Sequence, residues 1–195
     1  MLAVAATFAA TLAGCATSTA TLSQSTVGAY RDSVELSGRV AVTYQKDGRR
    51  ESSNGNFTWD QRGNAVDVTL VSPLGQTVAT IQVTPGSATL IQAGQAPRSA
   101  ADIDSLTQQA LGWPLPVSGL RDWLQGYAVD AGGRRFAASP ANNTVETNDG
   151  WRLRFISWQD EAAPQPQPRL INAERSAAGD IQDLAIRIVI DPAAP

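Results

Sequence analysis

Much of the chain alternates apolar and polar residues with a period of two. Leu36, Gly38, Val40, Val42 and Tyr44 alternate with Ser37, Arg39, Ala41 and Thr43, as a strand buried on one face does. Phe57 and Trp59 oppose Thr58 and Asp60. Val66, Val68 and Leu70 oppose Asp67 and Thr69, and Ala79, Ile81 and Val83 oppose Thr80 and Gln82. Ser87 to Gln92 reads as a further short strand with Leu90 or Ile91 inward. Lys46-Asp47-Gly48, Arg62-Gly63-Asn64 and Pro85-Gly86 punctuate these runs with turn signals. Later, Thr144 to Asn148 and Trp151 to Trp158 predict a hairpin with a type I′ turn at Asp149-Gly150. Arg169 to Glu174 and Ile181 to Ile190 form the last strand pair, with Leu184, Ile186, Ile188 and Ile190 on one face. Pro164-Gln165-Pro166-Gln167-Pro168 is a stiff connection unsuited to a central strand.

The period changes in the middle. Ile103, Leu106 and Ala110 make a helical stripe over Asp102 to Leu111, with Asp102 placed to cap it and Gly112 to stop it. After Trp113-Pro114-Leu115-Pro116, Leu120, Trp123 and Leu124 stripe a second helix, for which Ser118 is the predicted N-cap and Gly126 the terminator. Val27 to Glu35 reads as a further short helix leading into the fold. About nine strand-like runs joined by tight turns, without βαβ crossovers, predict a mainly β protein built on a single curved antiparallel sheet. Such a sheet needs a cover on its concave face, and the two central helices are the available one.

One turn stands out. In Ser72-Pro73-Leu74-Gly75, Ser72 suits position i of a type I turn, Pro73 suits i+1 and Gly75 suits i+3. Leu74 is left at the tip of a hairpin with no neighbouring strand to cover it. A lone exposed leucine is commonplace, but the start of the chain places this one near a membrane. Residues 1–14 are apolar and uncharged, too short to span a bilayer and suited to a secretory signal. They end in Leu12-Ala13-Gly14-Cys15, which resembles a bacterial lipobox; in such signals the cysteine is acylated and becomes the mature N-terminus. No Lys or Arg precedes the apolar run, which points to a start upstream of Met1 or to an atypical signal. Cys15 is the sole cysteine, so no intrachain disulfide is available and lipidation accounts for it. Ala16 after it, in place of Asp, points to the outer membrane. The expected organisation is a signal peptide over 1–14, a lipidated tether over 15–26 and one β domain over 27–195.

Composition narrows the chemistry. The net charge is −3, from 15 Lys and Arg against 18 Asp and Glu, with no basic block; nucleic acid is not an expected partner. There is no histidine, which removes the usual general base, the usual metal ligand and every Ser-His-Asp arrangement. No Gly-rich phosphate loop, metal-ligand spacing or paired-carboxylate motif is present. No cofactor and no catalytic residue are expected, and an enzyme, for instance a carboxylate-based hydrolase, is the weaker reading. An outer-membrane scaffold or static lipid-binding module shares the lipobox and the β pattern, but leaves the Pro73-Leu74-Gly75 tip without a role.

The lipobox, the Ser72-Pro73-Leu74-Gly75 hairpin tip, the Leu111-Gly112-Trp113-Pro114-Leu115-Pro116-Val117-Ser118-Gly119-Leu120-Arg121-Asp122-Trp123-Leu124-Gln125-Gly126 segment and the terminal alternating strand together resemble the LolB family of Gram-negative outer-membrane lipoprotein receptors. The resemblance implies a half-open β-barrel with a helical lid over an apolar cavity. It implies that lipoprotein cargo arrives from the periplasmic carrier LolA, lodges its acyl chains in the cavity and leaves for the inner leaflet of the outer membrane. It maps the family's acylated cysteine onto Cys15 and its protruding, insertion-promoting leucine onto Leu74. The expected location is the periplasmic face of the outer membrane, lipid-anchored, as a monomer. Candidate cavity-lining residues are Phe57, Trp59, Val68, Leu70, Ile81, Val83, Leu90, Leu115, Leu120, Trp123, Leu124 and Phe155. Alternation alone does not separate a cavity wall from a packed interior.

Overall fold

The computed structural model describes residues 22–111, 115–178 and 181–193. Its spine is the hairpin of β1 (Ser33–Lys46) and β2 (Arg49–Arg62), paired in continuous register from Ser33↔Arg62 to Lys46↔Arg49. Asp47 and Gly48 turn it with φ of 51° and 73°, the left-handed geometry that matches strand twist in a two-residue turn. On one side follow β3 (Ala65–Val71), β4 (Thr77–Thr84), β5 (Ser87–Gln92) and β6 (Arg98–Ala100). On the other side the end of the chain returns: β12 (Ile181–Ile190) pairs with β1, then come β11 (Pro168–Ala178), β10 (Arg152–Trp158) and β9 (Thr144–Glu146). The result is one ten-stranded antiparallel sheet, open between β6 and β9, with the first and last strands paired at its centre. A two-stranded sheet of β7 (Tyr127–Val129) and β8 (Arg135–Ala137) lies between the helices and β9.

Register turns alternation into a surface. Leu36, Trp59, Val68, Ile81 and Leu90 stand side by side across five strands. Val42 faces Ile186 and Val40 faces Ile188 on the adjoining pair. Gly38 is where the backbone comes closest: an added Cβ would lie 2.1 Å from the Val189 carbonyl and 2.9 Å from Phe57 Cε1. The concave face is covered by α1 (Ile103–Leu111), which packs on β5 and β6, and by α2 (Val117–Trp123). Asp102 caps α1, accepting from Ser105 N at 2.8 Å and Ser105 Oγ at 2.7 Å.

Four expectations change. Residues 22–32 hold no helix; Val27 N donates to the Ala138 carbonyl, and β1 starts only at Ser33. Val27 is buried by contacts from far along the chain, which local spacing does not reveal. Ser118 does not cap α2: the cap position is Pro116, and the Ser118 hydroxyl donates instead to Asp104 Oδ2 of α1 at 2.7 Å. The turn between β9 and β10 is not type I′. Asp149 keeps a negative φ, Gly150 alone is left-handed, and Gly150 N returns to the Thr147 carbonyl, the pattern of a type I turn followed by a glycine bulge. Finally, twelve strands stand where nine runs were legible, the additions being the three-residue β6, β7 and β8.

Candidate functional site

Under α2 the sheet encloses a cavity of about 100 Å³ lined by Val40, Val42, Phe57, Trp59, Val68, Leu70, Ile81, Leu115, Val117, Leu120, Leu124, Ile186 and Ile188. Each strand wall follows from period-two alternation and each helix wall from the α2 stripe. None of these side chains is titratable, so the wall offers no acid, base or charged ligand. Its one polar handle is Trp59, whose indole N–H is buried without a hydrogen-bond partner among the described residues. Chemically, the arrangement can replace water around an apolar chain, at roughly 25 cal/mol per Å² buried.

Of the twelve predicted lining residues, the structure brings Phe57, Trp59, Val68, Leu70, Ile81, Leu115, Leu120 and Leu124 together around this space. It places the other four elsewhere. Leu90 is buried on β5 under α1, and Val83 pairs with Val66 and Ala88 further along the sheet. Trp123 turns away to meet Trp151 edge-on at 5.7 Å. Phe155 stacks between Phe136 and Trp158 at 6.3 Å and 6.2 Å. Val40, Val42, Val117, Ile186 and Ile188 were missed as lining. The alternation of β1 and β12 marked four of them as inward, but only the β1–β12 pairing brings them to this space.

The cover is tied down at three points. Leu115 N donates to Thr107 Oγ1 of α1 at 2.9 Å, and Ser118 holds Asp104. Arg121 Nη2 donates to the Gly63 carbonyl in the β2–β3 turn. Beyond α2, Gln125 grips the backbone of Arg31 through both ends of its amide.

Leu74 occupies the β3–β4 tip. Gly75 N donates to the Ser72 carbonyl at 2.9 Å, Ser72 N to the Gln76 carbonyl at 2.8 Å, and Gly75 takes a φ of 83°. This rigid turn leaves the leucine side chain 88% exposed, the highest value among the exposed large apolar residues. It lies four positions beyond the cavity-lining Leu70 at the end of β3. Cys15, the signal segment and Trp113 fall outside the described residues.

Fold and cavity together define an open antiparallel half-barrel with short helices covering an apolar hollow. The family described as "Outer membrane lipoprotein LolB" matches residues 32–192. An outer-membrane lipoprotein LolB of Cupriavidus pinatubonensis is 41% identical over 167 residues, covering 80% of this chain and 76% of that protein. One of Bordetella petrii is 33% identical over 190 residues, covering 96% and 90%. Among solved structures, a LolA superfamily protein from Nitrosomonas europaea superposes with a TM-score of 0.44 at 8% identity, covering 81% of this chain and 84% of that one. The chain belongs to the LolB family: it is an outer-membrane lipoprotein of the lipoprotein localisation pathway.

Proposed function

We propose that this protein accepts lipoproteins from a periplasmic carrier of the LolA kind, holds their acyl chains in the cavity under α2 and passes them to the inner leaflet of the outer membrane. Cys15 is the acylated anchor, and residues 15–26 are the tether. The observation that carries the reading is the pairing of an all-apolar, helix-covered cavity with a fully presented leucine at the end of one of its wall strands. At about 100 Å³ the cavity lies below the roughly 300–1,000 Å³ of a typical ligand site. Acyl chains therefore enter only as α2 swings outward. The anchor needs no help from Leu74: three acyl chains at about 0.8 kcal/mol per buried CH₂ exceed the about 1.5–3 kcal/mol of one leucine. Leu74 serves the release step, by contacting or loosening lipid beside the cavity.

The test is a transfer assay. The chain from Ala16 onward is mixed with carrier loaded with one lipoprotein, and the cargo is followed. The reading expects cargo to move onto this protein, then into vesicles, with the second step blocked by Leu74→Glu. Cargo that stays on the carrier would point to a static scaffold. Cargo recovered with a cleaved acyl chain would point to a hydrolase.

A further inference from the structure

The end of the sheet that presents Leu74 carries a charge pattern that the cavity does not use. The β1–β2 hairpin runs past the Leu74 turn. β3 last pairs with β2 at Val71↔Asn56, whereas β2 continues with β1 as far as Arg49↔Lys46. On this overhang Lys46, Arg49 and Arg50 are all exposed, Lys46 and Arg49 in phase with Val42 and Tyr44 and Arg50 on the outer side. Lys46 and Arg49 are direct cross-strand partners, a placement of like charges that costs stability. Behind them, Arg39 and Arg187 line a groove of about 490 Å³ together with Pro73 of the Leu74 turn. None of these five cations forms an ion pair among the described residues. The nearby carboxylates are Asp47 and Glu51 on the overhang, Glu174 on β11, which pairs with Arg152, and Asp183 on β12, which accepts from Gln45. At the opposite end of the sheet the sign reverses, with Glu35, Asp60 and Asp67 side by side in one cross-strand row of the outer face. A chain of net charge −3 thus gathers unpaired cations at the end that presents Leu74.

We propose that this cationic end docks on a bilayer surface bearing anionic phospholipid headgroups, with Leu74 at its edge. The inference extends the reading of Leu74 as a lipid-facing residue, and does not depend on cargo transfer. Guanidinium groups match phosphate geometry through paired N–H donors. The attraction reaches only about a Debye length, roughly 8 Å at physiological salt, so it acts once the anchor has already brought the domain to the membrane. A tether alone leaves the domain free to tumble. Opposite charge at the two ends of the sheet selects the orientation that brings Leu74 to the lipid.

The chain from Ala16 onward retains every described strand and helix, and its flotation with vesicles tests the proposal. The vesicles are phosphatidylcholine alone, or phosphatidylcholine with an equal part of phosphatidylglycerol. The expected result is preferential binding to the mixed vesicles that fades with added salt. At about fivefold per neutralised cation, the triple substitution Lys46→Gln, Arg49→Gln and Arg50→Gln lowers binding about a hundredfold. Arg39→Gln with Arg187→Gln, a second route to the same loss, lowers it about twentyfold. Arg62→Gln, at the other end, leaves it unchanged. Circular dichroism verifies that each variant is folded. Equal binding to both vesicle types, or a loss in the Arg62→Gln control equal to that of the triple variant, overturns the proposal. So does a triple variant that keeps vesicle binding but no longer takes cargo from the carrier, because the face then belongs to a protein partner. A wild type that accepts no cargo but still prefers anionic vesicles sinks the transfer reading and leaves this one standing.

Discussion

Arg121 is the residue through which the cover is most open to experiment. It projects from α2 and donates to the Gly63 carbonyl, linking the cover to the rim of the sheet. A hydrogen bond of this kind at a partly exposed site is worth about 1 kcal/mol net. Arg121→Met keeps an apolar stem of similar reach and removes the bond. The bonds from Leu115 to Thr107 and from Ser118 to Asp104 remain, so the cover loosens without detaching. Because the closed cavity is too small for a chain, the population of the open state scales the apparent affinity. Weakening the closed state by about 1 kcal/mol therefore tightens binding of a fluorescent fatty acid by up to about fivefold. Amide exchange should accelerate over residues 117–123, while the urea midpoint of global unfolding moves little. Unchanged exchange together with unchanged affinity would show that Arg121 is only a solvated helix charge. Weaker binding would show that the closed state is the binding state.

Three further substitutions probe other links. Leu74→Ala should leave thermal stability within about 0.5 kcal/mol, since the side chain buries nothing, yet slow deposition of cargo into vesicles by up to about thirtyfold through the loss of about 2 kcal/mol of lipid contact. Gly38→Ala drives a Cβ against the Val189 carbonyl and the Phe57 ring, and should cost about 3 kcal/mol or more by urea unfolding, because a strand carbonyl cannot swing aside as a side chain can. Hydrogen bonds, first from Ser105 N–H and then from its hydroxyl, hold the Asp102 carboxyl below its ordinary value of 3.8. Its contribution is therefore complete above 3.8 and fades as pH falls through the lower folded value. Asp102→Asn retains an acceptor, and thermal melts on either side of that value should show less acid sensitivity than the wild type.

The sheet was legible because its long strands bury one face. Val66, Val68 and Leu70 against Asp67 and Thr69 leave no other economical reading. The three-residue strands carry too few positions for alternation to register. β7 and β8 are set by the loop between them, where the Asp130 carboxylate accepts from Gly132 N and Arg134 N; the run Asp130-Ala131-Gly132-Gly133 was a turn signal that could have revealed the pair. Val27 to Glu35 misled because its partners, Ala138 and Gln125, are about a hundred residues away. For the cavity, sequence separated inward from outward but not wall from packed core. Ile81 and Leu90 are cross-strand neighbours on one face, and whether α1 or α2 lies above decides which of them meets open space.

The same geometry sets what each part can change in the proposed transfer. Each methylene gains about 0.8 kcal/mol on leaving water, whether it enters lipid or an apolar cavity. The cavity, however, must first displace α2, while the bilayer has no such cover to break. The cost of opening is therefore a bias toward release, built into the closed state and needing no other source of energy. Arg121 acts on that bias: its loss should make the protein accept cargo more completely and surrender it less completely. Neither Leu74 nor any of the five cations is among the residues lining the cavity. Their substitution should alter how quickly cargo reaches the membrane, while the final partition between protein and vesicle stays where the cover sets it. A Leu74→Ala variant that shifted the end point, with its rate unchanged, would mean that the tip belongs to the binding site.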